Sequence, residues 1–66
     1  MLITQCSKNN FCVSLELFID HNKKEMGFDV IFSEYGKHYK RYRFATLKAA
    51  YNKFDALLLK YDLLEV

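Results

Sequence analysis

A chain of 66 residues with 52% hydrophobic and 17% aromatic side chains can build one small core but not two. Its formal net charge of +2 is too small to name a partner, and so decides between neither protein nor nucleic acid. With no Pro and only Gly27 and Gly36, no stretch reads as a linker or disordered tail, so residues 1–66 are expected to form a single domain.

Met1-Leu2-Ile3 is followed at once by polar residues, without the charged start and apolar core of a signal peptide. No apolar run approaches the roughly 18 residues needed to span a bilayer. The expectation is a cytoplasmic protein with no membrane contact, and with Cys6 and Cys12 as thiols. Residues 2–6 are a candidate short first strand, and SKNN (7–10) a turn. Residues 11–20 are the clearest strand: Phe11, Val13, Leu15, Leu17 and Ile19 alternate with Cys12, Ser14, Glu16, Phe18 and Asp20. HNKKE (21–25) reads as a hairpin loop. Residues 26–34 follow as a strand, with Phe28, Val30 and Phe32 on one face and Asp29, Ile31 and Ser33 on the other. Tyr35-Gly36-Lys37 turns the chain, Gly36 offering a positive φ without steric cost. Residues 38–44 form the last strand, with Tyr42 and Phe44 inward and Tyr39, Arg41 and Arg43 outward.

The stretch from Phe44 to Tyr61 then changes period. Leu47, Ala50, Tyr51, Phe54, Leu57, Leu58 and Tyr61 recur at helical spacing, and Thr46 stands where an N-cap belongs. One helix cannot bury that stripe on itself, so the strands must supply the opposing surface. The fold class is α+β: an antiparallel meander of three strands, or four if residues 2–6 join, with one C-terminal helix packed across one face. Counting back from the turns places residues 15, 17 and 19 opposite 32, 30 and 28, and residues 29, 31 and 33 opposite 43, 41 and 39. All the large apolar side chains then face the helix, and a one-residue slip would expose them.

No Gly-rich phosphate loop and no nucleophile in a recognisable local signature is present, so the chain is expected not to be an enzyme. His21 in a loop and His38 at the start of a basic strand read as solvated. Cys6, Cys12, His21 and His38 lack the paired short spacings of zinc sites, and neither metal nor cofactor is expected. Pairing of residues 2–6 with the next strand would bring Cys6 and Cys12 near each other.

The face turned away from the helix carries Glu16, Phe18, Asp29, Ile31, Tyr39, Arg41 and Arg43. Asp29 falls opposite Arg43, and Glu16 flanks Ile31 with Arg41 beyond it, pairs that stabilise an exposed sheet without any partner. Phe18, Ile31 and Tyr39 are more than a solvated face requires. With Arg41 and Arg43 they form the candidate partner-binding set, of a composition enriched at protein interfaces. The alternative is a nucleic-acid set: Lys37, Tyr39, Lys40, Arg41 and Arg43, with Tyr39 as stacking platform. A second surface, at Leu59 and Leu63 on the back of the helix, is a candidate for self-association.

Phe44, Thr46, Ala50, Phe54 and Asp55 resemble the strand-to-helix junction of the ethylene-response-factor type of DNA-binding domain, also found in phage integrase arms. That family follows its third strand with Phe-x-Thr, then Ala, then an aromatic-Asp pair on the helix; WGR-type domains converge on a similar arrangement. The resemblance implies a three-stranded sheet with a packed helix. The family reads DNA with Arg and Trp on its first strands, whereas here there is no Trp and no Arg before Arg41, leaving only Arg41 and Arg43 for a comparable role. In size and style the chain is also similar to small phage and mobile-element proteins, among them anti-CRISPR inhibitors, which occupy a surface on a larger host protein. The expectation is thus a non-enzymatic module that binds a protein, plausible as an inhibitor of a host defence complex, with nucleic-acid binding as the alternative.

Overall fold

The computed structural model describes residues 1–35 and 38–63, with backbone alone at residue 38. Four strands, β1 (Leu2–Lys8), β2 (Phe11–Asp20), β3 (Glu25–Glu34) and β4 (His38–Phe44), precede one helix, α1 (Leu47–Lys60). The strands form one open antiparallel sheet in the order β1-β2-β3-β4. The helix lies across β2, β3 and β4. The α+β meander expected from the alternation is therefore present, in its four-stranded form.

Turn chemistry explains where the strands end. The first strand runs to Lys8, not residue 6, because Asn9-Asn10 alone makes the turn, with Asn9 at φ 58. Asn tolerates that left-handed conformation at low cost. The ladder shifts by a bulge between Leu2 and Thr4. Between β2 and β3, Asp20 Oδ1 accepts from the amides of Asn22 and Lys23 at 3.0 and 3.2 Å, and Lys24 takes φ 54. This tight loop lets the strands pair up to Asp20 and Glu25, so Leu15 faces Val30 and Leu17 faces Phe28. The expected register for this pair is thus wrong by two residues. An even slip keeps every side chain on its face, which is why the inward set survives. The β3–β4 register is as expected, with Asp29 opposite Arg43, Ile31 opposite Arg41 and Ser33 opposite Tyr39. Gly36 and Lys37, assigned to that turn, lie outside the described residues.

The core joins Val13, Leu15, Val30 and Phe32 of the sheet to Ala50, Phe54, Leu57 and Leu58 of the helix. Phe32 stacks on Tyr61 with centroids 4.5 Å apart, and Phe11 closes on Tyr61 at 5.2 Å. Two side chains expected inside are not: Leu47 starts the helix beyond the sheet and is 41% exposed, while Ile19 sits past the helix, near the β2–β3 loop, with Met26 opposite it also exposed to solvent.

Thr46 caps the helix as expected, with extended φ −125 and ψ 151 and Oγ1 accepting from the Ala49 amide at 3.3 Å. The other end corrects the sequence reading. Asp62 takes φ 55, the Asp62 amide donates to the Leu59 carbonyl, and the Leu63 amide donates to the Leu58 carbonyl at 2.8 Å. This is a Schellman stop, in which the residue after the left-handed one folds back against the helix. Leu63 therefore leaves the helix track and is buried at 1% exposure, so it does not share a surface with Leu59, which is 72% exposed. The proposed self-association pair is broken up. Cys6 Sγ donates to the Leu63 carbonyl at 3.1 Å and Lys8 Nζ to the Asp62 carbonyl at 3.4 Å, tying this stop to β1.

Candidate functional site

The uncovered face of the sheet is arranged in rows set by the ladder. Phe18 lies opposite Gly27; Glu16, Asp29 and Arg43 form the next row; Ser14, Ile31 and Arg41 the next; and Cys12, Ser33 and Tyr39 the last. The two-residue correction in register moves Phe18 away from Ile31 by about 7 Å along the strand. Phe18, Ile31 and Tyr39 therefore do not make one continuous apolar patch. Glu16 faces Asp29 and not Ile31, a second consequence of the same correction.

What holds the face together is a buried carboxylate. Asp29 is only 4% exposed, and Arg43 donates to both its oxygens, Nε to Oδ1 at 2.9 Å and Nη2 to Oδ2 at 3.1 Å. Such a bidentate pair fixes both orientation and charge. The guanidinium also lies 3.8 Å above the Phe18 ring centroid, and a Cβ at neighbouring Gly27 would come within 3.0 Å of the Phe44 carbonyl oxygen. Arg41 approaches Asp29 Oδ2 at 3.7 Å and donates to the Tyr39 hydroxyl at 3.0 Å. The hydrogen bond from Arg43 holds the Asp29 carboxyl below the usual carboxylate range, against the upward push of burial, with the charges of Arg43 and Arg41 adding to it. Arg43 is raised in turn, first by that same bond.

Among the candidate partner-binding residues, then, Arg43 is committed to Asp29 and covers Phe18, and Ile31 is half-buried. Tyr39, 63% exposed, and Arg41 project from the face. Beside them a shallow hollow of about 530 Å³ is lined by Glu16, Phe18, Asp29 and Arg41 with Met1 and Ile19.

The nucleic-acid set is divided by strand alternation. Tyr39, Arg41 and Arg43 lie on the open face, whereas Lys40 lies on the helix side, opposite Phe32. Lys37 lies outside the described residues, as does the side chain of residue 38. On the helix side Lys40 borders a hollow of about 210 Å³ with Lys53 and Lys60. Lys53 Nζ sits 4.4 Å from the Tyr42 centroid and Lys60 Nζ 5.4 Å from that of Tyr61. This grouping was missed in the sequence, although the spacing of seven between Lys53 and Lys60 places them on one helix face.

The cysteines do not meet. Cys6 is opposite Val13 on the helix side, while Cys12 is opposite Ser7 on the open side and lies 3.2 Å from Gln5 Nε2. Both are free. Among the described residues no group of three or more His, Cys, Asp or Glu is placed to hold a metal ion. No helix among them is long and apolar enough to cross a membrane. In comparisons with known proteins the chain matches no family model, no curated protein and no solved structure.

Proposed function

We propose that the chain is a small, non-enzymatic binding module that occupies a surface on a larger protein through the open face of its sheet. The observation that carries this reading is the neutralisation of that face by Asp29, buried between Arg43 and Arg41. A nucleic-acid surface needs cations free to replace phosphate counterions. Here the two arginines already share a carboxylate, Glu16 adds another negative charge, and Lys40 faces the other way. What projects is Tyr39 and Arg41, residue types that anchor protein interfaces. The displaced titrations of Asp29 and Arg43 account for one another as an ion pair, so neither calls for a catalytic role.

In its most specific form, this reading makes the chain an inhibitor of a host defence complex, in the manner of small phage proteins such as anti-CRISPR inhibitors. Size, aromatic content and the absence of a catalytic signature in the sequence support that form. The test is affinity capture from bacterial lysates with the wild type and with Tyr39→Ala/Arg41→Ala in parallel. A stoichiometric protein captured by the first and lost by the second is the expected result. Salt-sensitive binding of oligonucleotides at about 50 mM salt, where phosphate contacts are strong, would favour the nucleic-acid alternative instead.

A further inference from the structure

The sheet is open, so its outer strands both present backbone groups that no strand among the described residues pairs, and the two edges differ in chemistry. Leu17 exchanges backbone bonds with Met1, at 2.7 and 3.0 Å, and the Tyr35 amide donates to the Asn10 carbonyl at 2.9 Å. Odd residues of β2 thus point their amides and carbonyls at β1, and even ones at β3. Carrying this alternation through the observed registers leaves the backbone groups of Tyr39, Arg41 and Arg43 directed outward from β4, and those of Gln5 and Ser7 outward from β1.

Cations flank the β4 edge on both sides. Arg41 and Arg43 lie on the open face, while Lys40, Lys53 and Lys60 border the 210 Å³ hollow on the helix side, with Glu34 as the one acid there among the described residues. The arginines are already held by Asp29, whereas none of the three lysines forms an ion pair with a carboxylate among the described residues. Positive charge on an edge strand repels a second basic edge, which keeps copies of the chain apart. The same charge selects an acidic strand. By contrast, β1 carries only Lys8 and is broken by its bulge.

We propose that the outer edge of β4 accepts an extended acidic segment of a partner protein as a fifth strand, its carboxylates directed at Lys40, Lys53 and Lys60. This rests on the reading of the chain as a protein-binding module and names the chemistry of the partner. Main-chain bonds to Tyr39, Arg41 and Arg43 supply the pairing. Side chains of the added strand alternate, so those opposite Lys40 and Tyr42 fall on the helix side among the lysines.

The test uses the full ¹⁵N-labelled chain with a peptide as long as β4, 7 residues, alternating glutamate and valine. Its lysine-valine counterpart and an oligothymidylate serve as controls. The expected result is slowed hydrogen exchange at the amides of Tyr39, Arg41 and Arg43. The amides of Lys40 and Tyr42, already bonded to β3, should not change. Lys53→Glu should weaken the glutamate peptide about tenfold or more. Because Lys53 also packs on Tyr42, Lys40→Glu provides a second charge reversal with the same expected direction. Protection at Gln5 and Ser7 instead, equal binding of the lysine peptide, tighter binding of oligothymidylate, or no protection by the glutamate peptide would each overturn the proposal. A lysate partner still lost on Tyr39→Ala/Arg41→Ala would then leave the open-face reading standing without a fifth strand.

Discussion

Arg43 grips Asp29 through two hydrogen bonds, at 2.9 and 3.1 Å, across the β3–β4 ladder. The carboxylate is buried and the guanidinium half-exposed, so the pair is neither a free surface contact nor a sealed internal one. Its energetic signature is a dependence on pH. The folded state holds Asp29 below the usual carboxylate range, so it binds that proton less readily than the unfolded chain does. The stabilisation is therefore complete above the unfolded value of about 3.9 and is lost as pH falls through the depressed folded value. Asp29→Asn should lower the melting temperature at pH about 6, and the gap to wild type should narrow steadily towards pH about 2. Thermal melts of both proteins across that range check it; a gap independent of pH would mean that the charge of Asp29 contributes nothing.

Phe54 is 5% exposed at the middle of the only described helix, in the core it shares with Val30 and Phe32. Truncating a buried Phe costs about 3–5 kcal/mol, comparable to the whole stability expected of a domain this small. Phe54→Ala should abolish cooperative unfolding, or bring it close to room temperature, in a circular dichroism melt. A melt near the wild-type temperature would show that the helix docks by another face.

Leu59 and Leu63 are four residues apart in sequence and opposite in fate. Leu63→Ala should cost about 2–5 kcal/mol, as for other buried leucines. Leu59→Ala should stay within about 0.5 kcal/mol of wild type. Denaturant titrations of the two variants give the comparison directly. Equal, small effects would mean that the stop at Asp62 does not hold in solution.

Tyr39 and Arg41 bond to each other at the exposed end of the open face, 3.0 Å apart. Tyr39→Ala/Arg41→Ala should leave the fold intact, with only the modest loss typical of exposed cross-strand pairs, about 0.2–1 kcal/mol each. Its melting curve should stay cooperative while partner capture is lost. Collapse of the variant would place these side chains in the core and refute the described ladder.

Alternation in residues 11–20, 26–34 and 38–44, and the helical stripe from Ala50 to Tyr61, were enough to assign faces, because period alone decides which side chains can be buried together. Thr46 was legible for the same reason: a hydroxyl at the boundary between two periods has a specific bond to make. The β2–β3 register was not legible, since it depends on Asp20 folding its carboxylate onto Asn22 and Lys23, one of several ways to close a polar loop. Nor was the burial of Leu63. The helical count runs through it without interruption, and Asp62 is not the Gly that usually announces a left-handed stop. At the candidate site, the Asp29–Arg43 pairing followed from the β3–β4 turn. The cover that Arg43 lays over Phe18 did not, because it needed the true β2–β3 register.

The bulge between Leu2 and Thr4 has a consequence for molecules in crowd. An open sheet with an outer strand on either side is a unit that can, by geometry alone, add to itself without limit, each copy laying its first strand against the last strand of the next. The change of register in β1 interrupts such a ladder, so that no continuous pairing longer than the run from Thr4 to Lys8 can form. Filament growth would have to proceed through this short run against a strand crowded with cations. The irregularity at the start of the sheet thus shortens the ladder through which copies could add to one another.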